Sequence, residues 1–93
     1  MDIKHDEGNP KGRFHVTETG EKLAEMTYVW AGDSRIIIDH TEVDDRLRGK
    51  GVGKQMVSAA VDYARAKSIT ILPLCPFAKS VFQRVKEFRD VLS

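Results

Sequence analysis

The spacing of apolar residues in this chain changes once, at a glycine-rich loop, and that change limits the folds open to it. In "KLAEMTYVW", residues 22 to 30, Ala24, Met26, Tyr28 and Trp30 recur at every second position, as one face of a β-strand requires. From Val52 the interval lengthens: Val52, Met56, Ala60 and Tyr63 form one stripe, with Gln55, Ser58, Asp62 and Arg65 opposite. That is an amphipathic helix of about four turns. A strand-rich first half therefore meets a helix inside "RLRGKGVGKQMV", residues 46 to 57. A chain of 93 residues supports one hydrophobic core, so residues 1–93 are read as a single domain.

The other elements fill in around this switch. "GNPKG", residues 8 to 12, is dense in turn formers, and "FHVT" after it alternates Phe14 and Val16 with polar neighbours. Asp2 to Glu7 is a further strand candidate. "AGDS", residues 31 to 34, reads as a hairpin turn, and "RIIIDHTEV" supplies β-branched residues for a partner strand from Arg35 to Val43. Period two along that strand puts His40 on the face of Ile36, Ile38 and Glu42. "SITILPL", residues 68 to 74, is a short buried strand, and Pro76 suits the first turn of a second helix with Ala78, Val81, Val85 and Phe88 on one face. The order β-β-β-β-α-β-α makes this an α/β (α+β) protein with a mixed, mostly antiparallel sheet. Its strand, crossover helix and strand imply one parallel pairing.

Composition narrows the partners. The formal net charge is +1, too small for a general polyanion binder, so any phosphate attraction is local and nucleic acid is an unlikely partner. Cys75 is the single cysteine and can form no internal disulfide. "MDIKHDEGNPKGRF" has no secretory h-region, and no apolar run approaches the roughly 20 residues of a membrane span. A cytoplasmic location away from membranes is expected. His5 and His15 have no ligand-like spacing with Cys75, so no metal site is expected.

The loop itself is built for an anion. Glycines spaced two apart let backbone N–H groups approach a ligand closely, and a helix beginning inside the loop adds the positive end of its dipole. A P-loop is excluded because Arg48 stands where its first glycine belongs and Gln55 where its hydroxyl belongs. A dinucleotide fingerprint fails too, because Lys54 and Met56 occupy its third-glycine positions. RxxGxG fits, as Arg48, Gly51 and Gly53. The residue-level alternative is a tight strand-to-helix turn with solvated cations.

RxxGxG between a strand and a helix resembles the pyrophosphate loop of the GNAT superfamily of N-acetyltransferases, and the resemblance runs from about Lys22 to Phe88. "HTEVDDRLRGKGVG" followed by "LPLCPFAKSVF" further resembles a group of very small GNAT-like proteins with a Pro-Leu-Cys-Pro-Phe segment. It implies a reduced GNAT fold without the early helical insertion that usually shapes the acceptor pocket. It also implies acetyl-CoA as cofactor, bound by Val43, Arg48, Gly49, Lys50, Gly51, Val52, Gly53 and Lys54, with Val43 supplying an amide near the thioester carbonyl. Acetyl transfer to an amine acceptor follows as the expected reaction.

The expected catalytic residues are Cys75, His40 and Glu42. Aligning Ala78 with the family pattern puts Cys75 at its Asn position and Phe82 at the position of a tyrosine that protonates the departing thiolate. Phe82 has no hydroxyl. A thiol just ahead of a helix can become a nucleophile, with His40 as its base and Glu42 as a base acting directly or through water on the acceptor amine; a small buried cysteine, a structural histidine and a solvated carboxylate fit the same positions. A non-catalytic CoA or acyl-CoA binding and sensing module is the alternative function. The expected assembly is a monomer or weak homodimer.

Overall fold

A computed structural model describes residues 2–93. Five strands run in the order β1 (Lys4–Asp6), β2 (Lys11–Glu18), β3 (Glu21–Trp30), β4 (Arg35–Val43) and β5 (Thr70–Pro73), each beside its sequence neighbour in one sheet. The first four pair antiparallel and β4 pairs with β5 in parallel, because α1 (Val52–Lys67) carries the chain across the sheet between them. α2 (Pro76–Arg84) follows β5 directly.

One face of the sheet supplies Phe14, Val16, Met26, Tyr28, Ile36, Ile38 and Ile71 to the core. α1 fills it with Val52, Met56, Val57, Ala60, Val61 and Ala64, and α2 with Ala78, Val81 and Phe82. Tyr28 is 1% exposed; its hydroxyl lies 2.7 Å from His5 Nε2, which keeps this buried polar atom paired. The His5 ring stacks on Phe14 at 4.0 Å between centroids, tying the short β1 to the core. The opposite face is polar, with Arg13 bridging Asp6 and Glu25.

Two sequence expectations are corrected. The helical stripe Ala78, Val81, Val85, Phe88 does not run its full length: α2 ends at Arg84, Val85 is extended (φ −109°, ψ 93°), and Lys86–Val91 forms a 3-10 segment. Side chains decide this. Arg89 donates to the carbonyls of Phe82 and Gln83, satisfying the last turn of α2, while Arg65 of α1 holds Asp90 at 2.8 Å and the Glu87 carbonyl at 2.7 Å.

The second correction concerns His40. Tyr28 pairs with Ile38, but Thr27 pairs with His40, so Asp39 is an extra residue, a β-bulge that resets the alternation. Beyond it Thr41 and Val43 share the inner face with Ile36 and Ile38, and His40 and Glu42 turn to the outer face.

Candidate active site

β4 and β5 separate past the bulge. The N–H groups of Leu74 and Cys75 both donate to the Ile38 carbonyl, at 3.0 and 3.1 Å, and Pro73 is the last residue of β5 in the ladder. The gap between the parting strands holds Cys75, 7% exposed, at the N-cap of α2. Its thiol donates to the Thr41 hydroxyl oxygen at 3.4 Å. Burial pushes the thiol up, but the Thr41 hydroxyl and the N–H groups of Ala78, Phe77 and Thr41 favour the thiolate more strongly. The net shift is below the usual thiol range.

Next to this gap a cavity of about 540 Å³ opens between the β4–α1 loop and α2. Val43, Arg48, Gly49, Gly51, Val52, Gly53 and Lys54 line one side of it; Leu47, Phe77, Arg84 and Val85 complete it. Its charged residues are Arg48, Lys54 and Arg84, with no carboxylate among them. The loop backbone is shaped by Gly49 (φ 79°) and Gly51 (φ 69°), left-handed positions where a side chain is strained, and a Cβ at either would meet nothing within 4 Å. Leu47, Arg48 and Lys50 spend their N–H groups on 3-10 turns, and Gln55 returns to the Gly51 carbonyl at 3.0 Å. The N–H groups of Val52, Gly53 and Lys54 in the first turn of α1 precede the helical ladder. Val52, Gly53 and Lys54 line the open, cationic cavity, an arrangement able to receive an anion.

Nearby charges are sorted by pairing. Arg46 is held by Asp44 and Glu21, at 2.9 and 2.6 Å, and these hydrogen bonds pull Asp44 down to about 2. Arg48 meets Asp45 at 2.7 Å with both side chains exposed, a contact that water and salt leave easy to exchange. Lys50 does not line the cavity; its N–H goes to Leu47 and its carbonyl accepts from the Gln55 side chain.

The three expected catalytic residues are not brought together. Cys75 meets Thr41, whereas His40 and Glu42 pair with each other at 3.4 Å on the exposed outer face of β4. Thr41, Phe77 and Arg84 escaped the sequence reading. The bulge hides Thr41, while Phe77 and Arg84 carry a weak signal: they lie two helical turns apart, an exposed aromatic and an exposed cation on one face of α2. Among the described residues no helix is long and apolar enough to cross a membrane, and no cluster of metal-ligating side chains occurs.

Comparison with known proteins agrees with the architecture. A family model described as GCN5-related N-acetyl-transferase matches residues 13–91. The chain is 32% identical over 62 residues to Protein NATD1 of Xenopus tropicalis, covering 66% of this chain and 55% of that protein; it thus spans about half the length of the curated relatives it matches. The solution structure of a GCN5-like protein from Staphylococcus aureus superposes with a TM-score of 0.76 at 35% identity, covering 97% of this chain and 87% of that one. The crystal structure of a predicted acetyltransferase from Clostridium acetobutylicum with acetyl-CoA shares the fold, with a TM-score of 0.66 at 14% identity over 81% of this chain and 56% of that one.

Proposed function

Because this chain belongs to the GCN5-related N-acetyltransferase family, we propose that residues 1–93 act as one domain that binds acetyl-CoA and passes its acetyl group to an amine. The observation that carries this reading is the meeting of the free α1 N-terminus with left-handed Gly49 and Gly51 in a cavity whose charged residues are all cations. The residues present fit the molecule. Amides of Val52, Gly53 and Lys54, helped by Arg48, suit a pyrophosphate, and Val43 leads from there along β4 toward the gap at Thr41 and Cys75.

Two routes differ in the use of Cys75. On the direct route the amine attacks the thioester while the Val43 amide polarises its carbonyl. On the acyl-cysteine route the Cys75 thiolate attacks first: an S–C bond forms at the acetyl carbon, the bond to the CoA sulfur breaks, and CoA leaves as a thiolate that takes a proton from solvent. The amine then attacks acetyl-Cys75, forming the amide and releasing the thiolate, and its surplus proton goes to solvent, since His40 and Glu42 lie on the other face of β4. The lowered thiol and the Thr41 contact support the second route. Phe82, buried in the core, has no proton to give a leaving thiolate, so on either route the CoA thiolate takes its proton from solvent. The segment Pro73-Leu74-Cys75-Pro76-Phe77 links the chain to the very small members of the family.

The second reading, a CoA or acyl-CoA sensor without turnover, is favoured by the same Phe82 and by the lack, among the described residues, of any α-helix before α1 that could wall an acceptor pocket. A backbone-amide NMR titration with acetyl-CoA and CoA, combined with peptide mass spectrometry, tests both. Saturable shifts at residues 48–54 are expected with each ligand, and an acetyl group on Cys75 only with acetyl-CoA. Immobile loop amides at saturating ligand would remove the cofactor assignment. Binding without acetylated Cys75 or acetylated amine would leave the sensor.

A further inference from the structure

Arg84 is distinguished by what it lacks. Among the described residues, Arg13 holds Asp6 and Glu25, Arg46 holds Asp44 and Glu21, Arg48 holds Asp45, and Arg65 holds Asp90. Arg89 caps carbonyls of α2, and Arg35 reaches the Ser93 hydroxyl. Arg84 alone has neither a hydrogen bond nor an ion pair, and it lines the cationic cavity. A guanidinium left unpaired at a cavity wall presents its full planar fork to a ligand, a geometry suited to phosphate oxygens.

Its position separates it from the α1 terminus. Phe77, at the start of α2, packs its ring against Gly53 in the first turn of α1. Arg84 follows two turns later on the same face, about 10 Å further along α2. The α1 amides thus offer a pyrophosphate one wall of the cavity, while Arg84 offers its charge from the far end of α2, where a second anionic group on the same ligand can meet it. Coenzyme A carries one, a phosphomonoester on its ribose, chemically separate from the pyrophosphate and bearing close to two charges at neutral pH.

We propose that Arg84 selects the acyl carrier by binding this 3′-phosphate, so that the cavity discriminates coenzyme A from carriers holding the same pantetheine arm without that group. The inference rests on the acetyl-CoA reading above and assigns Arg84 a specificity role within it. It also fits the early end of α2: with Val85 extended after Arg84, the arginine lies at the last turn of the helix, beside the cavity.

Calorimetric titration of acetyl-CoA and 3′-dephospho-acetyl-CoA into the wild-type chain and the variants Arg84→Gln, Arg84→Lys and Lys86→Gln provides the test. Wild type should bind the 3′-phosphorylated ligand about tenfold more tightly, as one charge-assisted phosphate contact supplies. Arg84→Gln should lose that preference while holding its affinity for the dephospho ligand. Arg84→Lys should keep part of it, and Lys86→Gln, outside the cavity, all of it. A preference that survives in Arg84→Gln overturns the proposal, and so does an equal loss of affinity for both ligands, which is the mark of a structural role. If wild type binds neither ligand, the acetyl-CoA reading itself falls; if it binds both equally, only the role of Arg84 falls.

Discussion

The Cys75 thiol and the Thr41 hydroxyl lie 3.4 Å apart because β4 carries one residue more than β3 between the pairs Tyr28–Ile38 and Thr27–His40. Without the extra residue, strict alternation would send Thr41 to the outer face and present His40 to the thiol. The bulge thus replaces a titratable ring with a small hydroxyl beside the sulfur. Ionisation of Cys75 then depends on oriented dipoles: one hydroxyl and the N–H groups of Ala78, Phe77 and Thr41.

Thr41→Val, which keeps the shape and removes the hydroxyl, should raise the thiol toward its ordinary range and slow its alkylation by iodoacetamide at neutral pH several-fold. Thr41→Ser should behave as wild type. The full pH profile of the alkylation rate decides the matter, since simple loosening of the site would speed alkylation without moving the midpoint.

Gly51 is left-handed in open space, so the cost of Gly51→Val is conformational rather than steric, about 1–2 kcal/mol. Urea unfolding should register that modest loss. Acetyl-CoA affinity should fall by at least about tenfold, because the loop must relax out of its left-handed turn or hold a branched side chain over the amides. Unchanged affinity would mean that the loop is only a turn.

Gly53 and Phe77 form a close pair: a Cβ at Gly53 would fall within the Phe77 ring. Gly53→Ala gains helix propensity but must displace the far edge of the exposed Phe77 ring, and the expected balance is a net change within about 1 kcal/mol. In Gly53→Ala/Phe77→Ala the obstruction is gone, so the double variant should be more stable than the sum of the single effects. Additive values from denaturant unfolding would deny the contact any energetic weight.

Acid should weaken the fold through His5 before it reaches the carboxylates. Burial holds the imidazole below its ordinary 6.5, against the opposing pull of Glu7 and Asp6. Tyr28 keeps its proton, since burial raises its hydroxyl, and donates to neutral His5; protonation of the ring ends that bond. A lowered folded value means the unfolded chain binds more protons, so stability rises with pH across this window and falls as pH drops from about 7 toward 5.5. The lowered carboxylates Asp6, Glu25, Asp44 and Asp90 keep their contribution until the pH reaches the acid range near 4. His5→Phe should flatten the slope between pH 7 and 5.5 in urea unfolding; an unchanged slope would place its source elsewhere.

Periodic segments were legible in the sequence, and events that depend on a single residue or on distant packing were not. β4 spans Arg35–Val43 as its β-branched run indicates, α1 begins at Val52 where the period changes, and the parallel pairing follows from the crossover. The bulge at Asp39 has no local signature: its carboxylate is held at 2.6 Å by the Thr27 hydroxyl of the neighbouring strand, a contact that exists only after pairing. The end of α2 escaped for a similar reason, since Arg65 and Arg89 fix it from a distance. The same tertiary origin hid Phe77 and Arg84. They reach the loop only because α2 packs beside α1.

The bulge also divides β4 into two segments with separate obligations. Ile36 and Ile38 before it answer to the core, while Thr41 and Val43 after it answer to the thiol and the cavity. Because the extra residue absorbs changes in register between them, the half of the strand beside the cavity can diversify its side chains without repacking the hydrophobic half. A chain of this size can therefore explore new chemistry on one strand while its neighbour in sequence goes on securing the fold.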